Sequence, residues 1–195
     1  MNKEDLKNAI CNNDIEFLKR NKSRYLINEC FEDEDNDTLL LYSISDASTE
    51  IYKFFLEENA DIHLSNDLGE NVIHAIVYSG DVERLKYFTN KYSIDINHRA
   101  KDGATPLLLA ISLKRIKLAE FLMKLGADVN IPDNDGIAPI HIASQGNNKK
   151  ILNELLKNQA DPFLKTEKGN LPLALAVNNG NYEIVKILYE KTFGN

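Results

Sequence analysis

Four histidines and two cysteines are the candidates for base, nucleophile and metal-ligand chemistry in this 195-residue sequence. His74 and His141 stand in matching contexts, Asn71-Val72-Ile73-His74 and Ala138-Pro139-Ile140-His141. An imidazole there serves as a catalytic base, a metal ligand or a structural hydrogen-bonding group. His63 and His98 have no carboxylate or thiol nearby at ligand spacing. No H-E-x-x-H, G-x-S-x-G or Gly-Lys-Ser run occurs to set up metal, nucleophile or phosphate chemistry. Cys11 and Cys30 are too few for a disulfide framework and lack metal spacing. They are expected to be reduced thiols of a cytoplasmic protein, with Cys11 packed rather than reactive. The expectation is a chain that is not an enzyme, with no catalytic residues, no cofactor and no metal.

Charge offers a second kind of chemistry. In Glu32-Asp33-Glu34-Asp35-Asn36-Asp37 the aspartates alternate as in a calcium loop. Such a loop needs glycine at its sixth place and glutamate at its twelfth. Here those places hold Thr38 and Ile44. The run therefore reads as a solvated turn, or as a patch that draws in a basic partner segment and raises its on-rate. A basic set, Arg84, Lys86, Lys114, Arg115, Lys117, Lys149 and Lys150, falls where pairs of helices join. Cations there complement the end of a helix dipole. The alternative, a nucleic-acid stripe, lacks interleaved aromatics. The net charge of −7 is uneven: residues 1–70 hold 17 acids and 7 bases, residues 71–195 hold 13 and 16. That asymmetry excludes a nucleic-acid footprint along the whole chain. At 43% hydrophobic and 27% charged the chain is expected to fold. It has no apolar run approaching the ~18–20 residues of a membrane span. The opening Met1-Asn2-Lys3-Glu4-Asp5 leads to no apolar stretch of the kind a secretory signal requires.

The elements that position these residues follow from self-similarity. Asn66-Asp67-Leu68-Gly69, Lys101-Asp102-Gly103-Ala104-Thr105-Pro106-Leu107, Asp135-Gly136-Ile137-Ala138-Pro139-Ile140-His141 and Lys168-Gly169-Asn170-Leu171-Pro172-Leu173 align with one another. Their glycines are spaced 34, 33 and 33 residues apart. A weaker copy begins at Asn36-Asp37-Thr38, with Asn36 standing 33 residues before Gly69. A second marker keeps the same period: Asp61, Asp95, Asp128 and Asp161 are likewise spaced 34, 33 and 33. In each unit glycine allows a turn with positive φ. Thr38, Asn71 and Thr105 are placed to cap the first helix, whereas Ala138 and Leu171 are not and should cost those helices ~1 kcal/mol. Each second helix carries an apolar stripe at helical spacing: Ile51-Phe54-Phe55, Leu85-Phe88, Leu118-Phe121-Leu122, Ile151-Leu155-Leu156 and Ile184-Val185-Leu188. One unit cannot bury such a stripe alone, but stacked neighbours can.

A 33-residue period with a D-x-x-G-x-T-P-L-H-x-A opening resembles the ankyrin repeat. Thr105-Pro106-Leu107 with Ala110, and Pro139-Ile140-His141 with Ala143, carry the resemblance most closely. It implies an all-α solenoid of stacked antiparallel helix pairs with projecting β-turn fingers. It also implies structural histidines bonded to neighbouring turns. The expected organisation is a single domain over 1–195. It comprises an N-terminal capping helix pair at 1–33, repeats at 34–65, 66–99, 100–132 and 133–165, and a C-terminal capping repeat at 166–195. Lys3, Lys7, Asn8 and Lys19 are expected to wet one free face. Asn181, Glu183, Lys186, Glu190 and Lys191 are expected to wet the other, making the array complete.

The resemblance further implies a protein–protein interaction scaffold that binds through finger tips and the exposed face of the first helices. Carried over by position, the surface runs through Glu34, Asp35, Asp37 and Asp46, then Asp67, Leu68, Glu70 and Tyr78. It continues with Lys101, Asp102, Ser112 and Leu113, then Asn134, Asp135, Ile137 and Gln145, and ends with Glu167, Lys168, Asn170, Asn178 and Asn179. Tyr78, Leu113 and Ile137 are the expected anchors, with the acidic end supplying steering. The expected partner is a protein with a basic segment, bound by a monomer, without nucleic acid or membrane. A bacterial or viral chain acting on a host protein is one form of this reading. The readings set against it are an enzyme or small-molecule binder using His74 or His141, and a nucleic-acid binder using the basic edge.

Overall fold

The computed structural model describes residues 2–31, 35–46 and 48–194, with Asp46 given by its backbone alone. The regular elements among them are helices, and the chain divides into two compact units, Met1–Ile94 and Asp95–Asn195. The first unit contains α1 (Lys3–Cys11), α2 (Ile15–Arg20), a 3-10 turn (Lys22–Arg24), α3 (Leu39–Asp46), α4 (Thr49–Glu57), α5 (Val72–Ser79) and α6 (Val82–Lys91). The second contains α7 (Pro106–Ser112), α8 (Ile116–Lys124), α9 (Pro139–Gln145), α10 (Lys149–Lys157), α11 (Pro172–Asn178) and α12 (Tyr182–Phe193). Within each unit odd-numbered helices pack on odd, and each pairs with the helix that follows it.

Capping chemistry sets where the helices begin. Thr38 Oγ1 accepts from the Leu41 N–H, Asn71 Oδ1 from Ile73 and His74, and Thr105 Oγ1 from Leu108. Ala138 and Leu171 supply no side-chain cap, and proline follows each at the first helical position, where no intrahelical N–H is needed. The second helices use Asp14, Asp81 and Asn148 in the same way. Layers are then joined through their cores. Ile51, Phe55, Leu85 and Phe88 are fully buried in the first unit, and Leu118, Leu122, Ile151, Leu155, Ile184 and Leu188 in the second. Phe121, Leu156 and Val185 are only half-buried, at the margins of their stripes.

Backbone ladders hold successive fingers in register. In the first unit the Asp67 N–H donates to the Asp35 carbonyl at 2.8 Å. In the second, Asn134 donates to Asp102 and Glu167 to Asp135, each at 2.8 Å. Asn36 stands at the glycine position of its finger and adopts φ 50°, the left-handed region that asparagine tolerates. A second ladder runs through the loops that follow the second helices. Asn28, Asn97 and Asn130 each accept, through Oδ1, the N–H of the aspartate one repeat on: Asp61, Asp128 and Asp161.

The capping pair corrects two expectations. Cys11 ends α1 and is exposed, with Sγ 3.2 Å from the Tyr42 hydroxyl, because it falls off the buried stripe of Leu6, Ala9 and Ile10. Lys7 does not simply wet the free face; its ammonium lies 5.2 Å over the rings of Phe31 and Tyr42. At the other end Asn181 is buried and donates through Nδ2 to the Ser144 and Gln145 carbonyls at the end of α9. It satisfies orphan carbonyls of α9, the first helix of the preceding repeat, instead of meeting water.

Candidate protein-binding grooves

The fingers and first helices of each unit enclose a concave groove. In the first unit it measures about 370 Å³ and is lined by Asp35, Asp37, Leu41, Ser45, Asn66, Glu70, Asn71, Ala75 and Tyr78. Asn66 Nδ2 donates to Asp37 Oδ1 at 2.9 Å and to Glu70 Oε2 at 3.3 Å, so one amide bridges two carboxylates. The Tyr78 hydroxyl donates to Glu70 Oε1 at 2.6 Å, which fixes the ring at the rim with 40% of its surface exposed. In the second unit a groove of about 250 Å³ is lined by Asp135, Ile137, His141, Gln145, Thr166, Glu167, Lys168, Asn170 and Leu175. Its finger is closed by Asp133, whose Oδ1 accepts from the N–H groups of Asp135 and Ile137.

The two central histidines are structural. His141 is buried; its Nδ1 accepts the Ala138 N–H at 3.0 Å, which leaves the proton on Nε2 to donate to the Leu164 carbonyl at 3.0 Å. Burial holds its pKa below the ordinary histidine value, only partly opposed by these backbone bonds and by the Asp133 charge. His74 is also buried, with Nδ1 accepting the Asn71 N–H at 3.3 Å. Both rings are buried and hold a helix-start N–H on Nδ1, so that nitrogen is closed to an external substrate in each. Among the described residues no three His, Cys, Asp or Glu groups are placed to hold a metal ion.

A family model for ankyrin repeats in three copies matches residues 40–133 and 125–195. The chain belongs to the ankyrin-repeat family. No curated protein matches it. Ankyrin repeats are in general protein–protein interaction modules. Asp35, Asp37, Glu70 and Tyr78 come together in the first groove, and Asp135, Ile137, Gln145, Glu167, Lys168 and Asn170 in the second. Ile137 is half-buried in the groove wall rather than standing out. Asp67, Leu68, Lys101, Asp102 and Asn134 are exposed on finger tips, and Ser112, Leu113, Asn178 and Asn179 at the ends of first helices. Glu34 lies outside the described residues, as does the side chain of Asp46. Sequence reasoning missed the apolar floor, Leu41, Ala75 and Leu175, because these positions repeat as ordinary core.

Four residues of the basic edge of this ankyrin repeat chain, Arg84, Lys86, Lys149 and Lys150, are engaged within their units. Arg84 donates through Nη1 to the Ile44 carbonyl near the end of α3 and lies over the Tyr52 ring. Lys149 pairs with Glu183 at 2.6 Å, Lys150 pairs with Glu120, and Lys86 pairs with Glu83 at 2.7 Å. The hydrogen bond from Lys149 keeps the Glu183 carboxyl below its ordinary range. Tyr182, Tyr189 and Phe193 of α12 are exposed, which the polar residues around them had not suggested. No described helix is long and apolar enough to cross a membrane.

Proposed function

We propose that the protein is a non-enzymatic interaction module that binds a protein partner through its finger and first-helix surfaces, acting as a monomer in the cytoplasm. The observation that carries this reading is the composition of the grooves. Open polar walls surround a small apolar floor, and the buried imidazoles of His74 and His141 bond to backbone. Tyr78 and Leu113, at 40% and 41% exposure, are large side chains left on the surface at the positions that would anchor a partner. An interface of ~1,200–2,000 Å² is the ordinary size for such a complex. The acidic first unit supplies steering for a basic segment, while ion pairing along the basic edge argues against a nucleic-acid stripe.

The test is affinity capture with mass spectrometry, comparing wild type with a Tyr78→Ala/Leu113→Ala double variant. The expected outcome is loss of a specific partner with an unchanged thermal midpoint. Retention of every captured protein by the double variant would count against this surface.

A further inference from the structure

The first groove sits in an unusual field. Between Arg24 and Arg84 the sequence holds fifteen carboxylates and one base, Lys53. Within the groove Asn66 draws Asp37 and Glu70 onto a single nitrogen, so two carboxylates are held as neighbours on one neutral amide. Among the described residues no cation pairs with Glu70 or Asp35. The carboxylates are nevertheless not gathered as a metal cage. Beneath them Leu41 and Ala75 form an apolar floor, and Tyr78 presents its ring at the rim.

We propose that this groove receives an arginine side chain from a basic segment of the partner protein. The guanidinium meets Asp37 and Glu70, and the methylene stem lies against the apolar floor and the Tyr78 ring. The assignment rests on reading the protein as a binding module and names the chemistry its first unit selects. Size supports one or two side chains, since about 370 Å³ lies at the lower end of the ~300–1,000 Å³ of small-ligand sites. Arginine suits the site better than lysine because its planar fork can serve two carboxylates at once and stack on an aromatic face. The bond from the Tyr78 hydroxyl to Glu70 holds ring and carboxylate in place beforehand, so little ordering remains to be done on binding.

The experiment is a titration of the full, ¹⁵N-labelled chain with N-acetyl-Arg-Arg-amide, followed by amide shifts. The expected result is saturable shifts confined to residues 35–45 and 66–78. Affinity should fall at least ~10-fold in Asp37→Asn/Glu70→Gln, and less in Glu70→Gln alone. It should also weaken between 50 and 200 mM NaCl. Both variants keep an acceptor oxygen at each position, and an unchanged spectrum outside the groove verifies their fold. N-acetyl-citrulline-citrulline-amide, neutral but of the same shape, should be silent. Equal shifts with citrulline, shifts indifferent to the two variants, or a response to calcium chloride alone would overturn the proposal. If the dipeptide is silent while the Tyr78→Ala/Leu113→Ala variant still loses its partner, the arginine assignment fails and the module reading stands. If the dipeptide binds and that variant keeps every partner, the pocket stands and the module reading fails.

Discussion

The two grooves are the same place in the repeat built with different chemistry. Asp35, Asp37, Leu41, Ser45, Asn66, Glu70 and Ala75 of the first correspond, 100 positions on, to Asp135, Ile137, His141, Gln145, Thr166, Asn170 and Leu175 of the second. Two carboxylates of the first unit have become an isoleucine and an amide. The leucine of the floor has become the histidine that ties α9 to the loop at Leu164. Lys168 adds a cation beside Asp135 and Glu167 in the second groove, whereas the charged residues lining the first are all acids. A repeat fixes where its finger and helix go through capping, turns and core stripes. Some groove-facing positions, such as 37/137 and 70/170, lie outside the caps and core stripes and can vary in charge. Sameness of fold and difference of groove chemistry thus reside at different positions of one 33-residue unit.

Replacing His141 by leucine breaks this comparison most severely, because it gives the second floor the residue of the first. The change removes the ring that serves two backbone groups at once, leaving the Ala138 N–H and the Leu164 carbonyl without their bonds. An expected loss of ~2–4 kcal/mol follows from two stranded buried polar groups, measured by denaturant unfolding at pH 7. The pH dependence sharpens the attribution. With the folded pKa held below the unfolded value near ~6.5, the unfolded chain binds the proton more readily as pH falls. The contribution of His141 is therefore present above that value and is lost toward the folded pKa. The gap between wild type and His141→Leu should narrow between pH 7 and pH 5. A gap of constant size would show that the imidazole does not titrate differently on folding.

A smaller effect separates two fingers of the second unit. Gly136 adopts φ 75°, and a Cβ there would stand 2.7 Å from the Glu167 backbone nitrogen, the atom that ladders the next finger to Asp135. Gly169 adopts φ 78° but faces open space. Gly169→Ala should cost ~1 kcal/mol, the left-handed penalty alone. Gly136→Ala should cost more, ~2 kcal/mol or above, since backbone has to move as well. Equal melting shifts for the two variants would mean that the finger ladder yields without strain.

How much of this was legible in the sequence differs between scaffold and groove for a physical reason. Gly69, Gly103, Gly136 and Gly169 mark turns, and Thr38, Asn71 and Thr105 mark helix starts, because backbone geometry restricts what stands there. Leu85, Phe88, Ile151 and Leu155 were legible through their period. Asn28, Asn97 and Asn130 were overlooked, since an asparagine in the loop after a second helix looks solvated until its side-chain carbonyl meets the next repeat. Cys11 and Asn181 were misplaced because each sits at a helix boundary, where a shift of one residue decides between core and water. Asp37, Glu70 and Tyr78 could be named one by one, but their convergence on Asn66 and on each other is tertiary.

The last contrast can be turned into a construction. Ile137→Asp with Asn170→Glu places on the second groove the two carboxylates that distinguish the first. If charge at these positions is what selects arginine, the variant should show a second set of saturable shifts with N-acetyl-Arg-Arg-amide, around residues 135–145 and 166–175. Its affinity should be weaker than that of the first groove. Lys168 remains as a competing cation, and Asn178 stands where the first unit has Tyr78, so the stacking face is missing. Adding Asn178→Tyr should recover part of the difference, by roughly a factor of 2–5, the size of a solvent-exposed cation–π contact. Ile137 is half-buried, so some stability is given up and the titration belongs well below the variant's melting temperature. A transplanted groove that stays silent while the first responds would show that carboxylate placement is insufficient. The selectivity would then lie in the rigid Tyr78–Glu70–Asn66–Asp37 chain of hydrogen bonds, which two substitutions cannot recreate.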